Sequence, residues 1–594
     1  MNTEPGADLS NVDFREVDLS RRNLSGCNLM RANLSNANLA DTNLSRAKLT
    51  SANLFVANLD CANLANASLA NAVLANATLT NANLPWANLA GTNLTFADLS
   101  NANLAHATLT RSTIVRANLS GANMVNAQLD DTTITKSHLS GTNLAGANLS
   151  RAVLCDSNLD HATLADATLN GVVSGRITGT PSSLPIGWRL IDGYLVGPHA
   201  NLANAHLAEA NLNGANLLEA SVNGANFSNA NLANAFMRGA NLVNANLAGA
   251  NLKGADLVGV ISGGITGTPA ALPTGWSLVF GYLVGPHANL EKTDLSWTYF
   301  PGASLASANL ANANLVGANL SGVDLSDTDL TGAMLTRVDF TNSTLAGSTL
   351  TRAHCSGTNF TAASLANADL SEAELSDAIL DGCDLEGAVL TGADITSATS
   401  RAITGVPAAL PIDWTLIDGY LVGPRSNLTG AKLVDANFRG LNLADTNLTR
   451  ADLTNAIFTN ANLDGAIFDE ATLTGVSSGA VKGVPASLPA EWVLIDGYLI
   501  GPEASLTYAN LMGAKLEGVN LTKARLTKAN LIGADLTSAN LSEAELTGVS
   551  LTNATLTGVG SRSISGTPAA LPTHWQLVDG ALVEQHVPSK YVHI

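Results

Sequence analysis

The chain has 594 residues, of which 13% are charged, with a formal balance of −19 and five cysteines. So acidic a chain argues against a nucleic-acid-binding surface and against anchorage on an anionic membrane, and an odd, scattered set of cysteines is no disulfide framework. The start, MNTEPGADLS, has neither a basic leader nor an apolar stretch, and Asn recurs too often for a membrane span, so the expected location is the cytoplasm.

From Leu9 onward a large apolar residue returns every five positions, with a small residue, usually Ala, two places before it. Five matches neither the 3.6 of a helix nor the 2.0 of a strand. The repeat itself must be the structural unit, turning by a fixed angle so that two of its five side chains face inward and successive turns stack. One turn alone buries too little to offset its lost chain entropy, so stability belongs to the stack.

Ala32-Asn33-Leu34-Ser35-Asn36 and its many copies resemble the A(D/N)LXX unit of the pentapeptide-repeat family. The resemblance implies an all-β fold, a right-handed quadrilateral β-helix with four units per turn. Substituted centres pair at a spacing of 20, as in Ile114 with Ile134, Phe340 with Phe360 and Phe438 with Phe458, but pairs at 10 are as common. The spacing therefore leaves the number of units per turn open.

In chain order the centres form five runs: residues 1–169, 202–257, 290–395, 428–473 and 506–556. They hold 88 units, 73 of them centred on Leu, which at four per turn makes about 22 turns. Between the runs lie modules at 170–201, 258–289, 396–427 and 474–505, and a degenerate copy at 557–594 ends the chain. Each of the four internal modules separates flanking centres by 33 residues, which is not a multiple of five. Fourteen of the 18 prolines and five of the seven tryptophans fall in the motif these copies share, ITGTPSSLPIGWRLIDGYLVGP from Ile177 in the first. Asp-Gly between two apolar runs predicts a hairpin, with strands near 188–191 and 194–196, although Phe280-Gly281 in the second copy fits a type I′ turn poorly. Trp188, Trp276, Trp414, Trp492 and Trp575 read as buried structural anchors of the modules. One continuous solenoid is expected, because the fourth run has only 10 units and must lean on its neighbours.

No motif points to catalysis. Gly475-Val476-Ser477-Ser478-Gly479 matches a nucleophile elbow but lacks the strand-to-helix setting, and Val173 stands at the place of Ser477 in the first module, so it reads as a turn. His199 and His287 give way to Arg425 and Glu503 in later copies. His354 with Cys355 lacks further ligands at zinc spacing, and His586 with His593 is a tail pair. No metal and no cofactor are expected. The third run carries 14 acids against three bases, and its end holds Asp369, Glu372, Glu374, Asp377, Asp381, Asp384, Glu386 and Asp394 without a base among them. A solvated face that keeps the protein soluble explains such a run. The preferred function is a non-enzymatic structural or protein-interaction scaffold, with protein partners and no direct nucleic-acid contact. The alternative, implied by family members that resemble duplex DNA to a topoisomerase such as gyrase, would use these acids.

Overall fold

The structure, a computed structural model, describes residues 4–300 and 302–585; His586 and His593 lie outside them. The five-residue period is a backbone turn. The carbonyl of Leu29 accepts the N–H of Ala32 at 3.1 Å, and Arg31 between them holds a φ of 56°. The same positive φ recurs two places after nearly every centre, which is why Asn and Gly, the residues that tolerate it best, are common there. The residue before each centre pairs in parallel with the residue twenty further on, Asn33 with Asn53 and Asn53 with Val73, so four pentapeptides close one coil.

Each N–H of the pentapeptide has a destination. Leu34 donates to Asn53 O at 2.7 Å and Asn36 to Phe55 O at 2.9 Å in the coil above, while Asn33 donates to Val12 O at 2.9 Å in the coil below. Ala37 closes the turn onto Leu34 O at 3.1 Å. The fifth, Ser35 N–H, is capped at 3.3 Å by the Asn33 side-chain oxygen. An Asn before the centre can also donate its amide to the same position one coil below. Asn23, Asn43, Asn63, Asn83, Asn103 and Asn123 form such a ladder, with steps of 2.9 to 3.3 Å. Asp serves at a ladder's base, where only donors arrive: Asn28 bonds to Asp8 and Asn38 to Asp18, both at 2.9 Å.

The chain divides into two compact units, Met1–Leu290 and Glu291–Ile594. In each, centre residues and the small residues two places before them are buried, with Leu34, Leu64 and Leu365 fully excluded from water. In unit 2, Phe340 stacks on Phe360 at 5.2 Å and Phe438 on Phe458 at 4.8 Å, twenty residues apart. Phe458 meets Phe468, ten apart, edge-on at 5.9 Å across the interior.

The modules are hairpins set into single coils. In unit 1, β1 (Arg189–Ile191) pairs with β2 (Tyr194–Val196), and β3 (Ser277–Val279) with β4 (Tyr282–Val284). In unit 2, β5 (Thr415–Ile417) pairs with β6 (Tyr420–Val422), β7 (Val493–Ile495) with β8 (Tyr498–Ile500), and β9 (Trp575–Val578) with β10 (Ala581–Glu584). The coil ladder continues across them: Val173 pairs with Asn201, Ile261 with Asn289, Thr399 with Asn427 and Ser477 with Ser505, each 28 apart instead of 20. The 33-residue interval is thus five pentapeptides plus eight residues, and the phase of the coil is kept. Phe280 corrects the expectation of a poor turn. It takes a φ of 47°, beside 48° for Asp192 and Asp418, and its exposed ring meets no obstacle, so β3 and β4 close like the others.

Candidate interaction site

Two sets of side chains stand out from the coil: the hairpins and the acids of the third run. Each hairpin is held by a serine that occupies a centre position where Leu would otherwise stand. Ser174, Ser262, Ser400, Ser478 and Ser561 accept the backbone N–H of Leu195, Leu283, Leu421, Leu499 and Leu582 at 2.8 to 3.0 Å. Each of those amides bonds to the serine and not to the paired strand of its hairpin, so the hydroxyl replaces a ladder bond. The elbow-like Gly475 to Gly479 stretch is this device: Ser477 lies in the coil ladder and Ser478 is the clamp. Tyr194, Tyr420 and Tyr498 add a second tie, accepting the N–H of the residue twelve further on at 3.0 to 3.1 Å.

Trp188 is buried, whereas Trp276, Trp414, Trp492 and Trp575 are half-buried. The indoles of Trp188, Trp276, Trp414 and Trp492 lie flat on Gly197, Gly285, Gly423 and Gly501 of their own hairpins, where any Cβ would collide with the ring. In the terminal copy that glycine is Glu584, paired with Trp575 in the hairpin register. A two-stranded hairpin covers only one face of a ring, which accounts for the partial exposure. The loop leading into the hairpin is also apolar in two modules, with Ile186 98% and Ile412 90% exposed.

The acids do not share one surface. Glu374 and Asp394 pair in one coil ladder, and Glu372 and Asp377, with φ of 59° and 58°, stand on the two corners of that same face. Asp369 and Asp384 lie in other ladders, and Asp381 and Glu386 follow the next two centres round the coil. Several are engaged. Asp369 accepts from the side chain and backbone of Ser371, which holds its carboxyl below the usual carboxylate range. Asp381 accepts the N–H of Arg401 at 2.9 Å, Glu386 that of Val406 at 2.8 Å, and Glu374 lies 2.8 Å from His354 Nδ1.

The sequence profile described as Pentapeptide repeats (8 copies) matches in overlapping stretches, among them 5–29, 57–95, 97–135, 137–173, 199–232, 288–327, 339–377, 425–460 and 520–558, well over half the chain. The chain belongs to the pentapeptide-repeat family. Membership gives the coil the right-handed sense of that fold. The profile stops at 173 and resumes at 199, stops at 261 and resumes at 288, and stops at 399 and resumes at 425, so those three hairpins lie outside it.

Among solved structures, this pentapeptide-repeat protein is similar to HetL from the cyanobacterium Nostoc sp. strain PCC 7120, described as involved in heterocyst differentiation regulation. Identity is 27% over 43% of this chain and 90% of HetL, with a TM-score of 0.19. It is similar to QnrB1, a plasmid-mediated fluoroquinolone resistance protein, at 20% identity over 28% of this chain and 85% of that one, TM-score 0.13. Rfr23 from the cyanobacterium Cyanothece 51142 shows 24% identity over 30% and 89%, TM-score 0.10. A comparison with curated proteins finds no match. Among the described residues no helix is long and apolar enough to cross a membrane, and no cluster of His, Cys, Asp or Glu has the arrangement to hold a metal. None of the described histidines is buried; His199 lies 3.3 Å from Glu219 and His354 lies against Glu374.

Proposed function

We propose that this pentapeptide-repeat protein is a non-enzymatic cytoplasmic scaffold, a right-handed coil of about 22 turns by repeat count, whose flat faces and hairpins dock other proteins. The observation that carries the reading is the packed interior. Leu, Phe and Ala, with a minority of Ile, Val, Met, Ser, Thr and Cys, fill the inward positions of the pentapeptides at essentially zero exposure, so the charged side chains are displayed on faces, corners and hairpins. A surface built that way recognises a partner by shape and charge. The test is a photo-reactive residue at exposed module positions 186, 280 and 412, with a control at buried position 365, activated in native cells. A discrete protein captured from the module positions and not from the control supports the scaffold. Capture of nothing at all three removes it.

The second reading is imitation of duplex DNA, for a topoisomerase such as gyrase or another DNA-binding protein, through the acids from Asp369 to Asp394. In its favour, Glu372, Glu374, Asp377 and Asp394 share one face over two coils. Two coils rise about 10 Å, over which DNA carries about six charges, so four acids fall short. The remaining four acids point to other sides. It ranks second, and a supercoiling assay at micromolar protein in which gyrase is unaffected would remove gyrase as the target.

A further inference from the structure

The acidic face of unit 2 has a counterpart in unit 1. There, residues 112–115, 132–135, 152–155 and 172–175 stack into one face, with Thr113, Thr133, Val153 and Val173 as its parallel ladder. One bounding corner runs Arg111, Asp131, Arg151, and the other runs Arg116, Lys136, Asp156, Arg176, all with φ between 54° and 61°. Arg151 is 2.7 Å from Asp131, and Arg176 is ion-paired with Asp156, so both acids are neutralised on the spot. Arg111, Arg116 and Lys136 are exposed and make no ion pair among the described residues, and the Arg116 guanidinium lies 5.4 Å over the Phe96 ring. A protein of formal charge −19 thus presents a flat Thr- and Val-floored face edged by cations.

The two faces are drawn on the same lattice. In each, the corners are five residues apart along the chain and successive coils rise by about 4.8 Å. Arg111 and Arg116 stand on opposite corners of the basic face with Lys136 one coil above Arg116, and Glu372 and Asp377 stand on opposite corners of the acidic face with Glu374 between them and Asp394 one coil above. Laid face to face, corner meets corner whichever way the coils run. Screening makes the local match decisive: the Debye length is about 8 to 10 Å at physiological ionic strength, two coils, so distant charges contribute little.

We propose that the basic face of unit 1 docks the acidic face of a second copy of this chain, around Glu372, Glu374 and Asp377. The proposal rests on the scaffold reading only in treating coil faces as docking surfaces, and it names the partner. The ion pairs are exposed, so the contact is weak, salt-sensitive and suited to assembly at high local concentration.

The test uses the full chain. Sedimentation velocity in about 100 mM salt should show concentration-dependent association that falls at least tenfold in affinity in about 1 M salt. The triple variants R111E/R116E/K136E and E372K/E374K/D377K should each sediment as monomers with unchanged circular dichroism. Their equimolar mixture should associate again, because the intact basic face of one meets the intact acidic face of the other. Independently of any variant, carbodiimide treatment of mixed 14N and 15N wild-type protein should join Lys136 of one copy to Glu372, Glu374 or Asp377 of another. Monomers throughout at about 100 μM and 100 mM salt, variants that associate like wild type, a mixture that stays monomeric, or the absence of mixed-isotope links from Lys136 to those acids would each overturn it. Capture of other proteins at the hairpins is unaffected by that outcome, so the two readings fail separately.

Discussion

Replacing Asn103 by Asp tests the ladder argument most directly. In the ladder, Asn103 accepts from Asn123 at 3.1 Å, caps the N–H of Ala105 at 3.3 Å and donates to Asn83 at 2.9 Å. Asp keeps both acceptor roles and loses the donor, setting oxygen against oxygen at the Asn83 step. The lost bond contributes about 0.5 to 1.5 kcal/mol, and with the facing acceptors the half-buried site should weaken by about 1 to 2 kcal/mol. The deficit depends on pH in a stated direction. Protonation restores a donor toward Asn83, so the folded pKa of the new carboxyl lies above its unfolded value. The loss is therefore full above the folded pKa and disappears as the pH falls below the unfolded one, near 4. A stacked array does not unfold in one step, so the readout is native-state hydrogen exchange at the backbone amide of position 103, bonded to Ala82 O at 2.9 Å. Asp18→Asn at a ladder base, where Asn38 donates and nothing must be given downward, is the control and should change stability by less than about 0.5 kcal/mol. Equal protection of that amide in the wild type and in the Asn103→Asp variant at neutral pH, or a deficit that persists in acid, would refute the account.

Ser478→Ala should strand the buried Leu499 N–H, costing about 1 to 3 kcal/mol, seen as faster exchange of that amide and of the β7–β8 hairpin. Gly423→Ala should push the Trp414 indole off its glycine, moving tryptophan emission to longer wavelength with the coil intact by circular dichroism; an unmoved spectrum in a variant carrying Trp414 as its sole tryptophan would count against the packing. In native protein at pH 8, alkylation should label exposed Cys61 first and half-buried Cys155 more slowly, and spare Cys27, Cys355 and Cys383. Burial holds the Cys383 thiol up at about 12 and shuts reagent out, so labelling there without denaturant would mean the coil opens.

The coil was legible because its period is incompatible with helix and strand, but the number of units per turn was not. Phe438 and Phe458 touch along a column and Phe458 and Phe468 touch across the interior, so spacings of 20 and of 10 both record contacts and cannot be told apart without coordinates. The preference for Asn before each centre was visible as composition, while its cause, the need to cap one N–H and donate to the coil below, depends on stacking. Phe280 shows a turn rule yielding to context: the hairpin is held by Ser262 and by its paired strands, which over-determine the backbone at one exposed residue. The clamp serines were missed although the signal was present. A serine stands at a Leu position near the start of all five modules, ahead of the hairpin strands, and a search for polar residues at fixed offsets would have found Ser174, Ser262, Ser400, Ser478 and Ser561. The acids were found as a stretch of sequence, and only folding at twenty residues per coil separates the four that share a face from the four that do not.

Because each hairpin adds eight residues to a coil and leaves its phase untouched, the length of a run is an angle. From Asn201 to Ile261 there are three full coils, so β1–β2 and β3–β4 leave unit 1 in the same direction. From Asn427 to Ser477 there are two and a half, so β5–β6 and β7–β8 leave unit 2 in opposite directions. Inserting or deleting a single pentapeptide between two hairpins would swing the later one by a quarter turn while keeping the backbone bonding pattern of the coil, with new partners across the change. A gene built of such repeats can re-aim its protruding parts by changing a count.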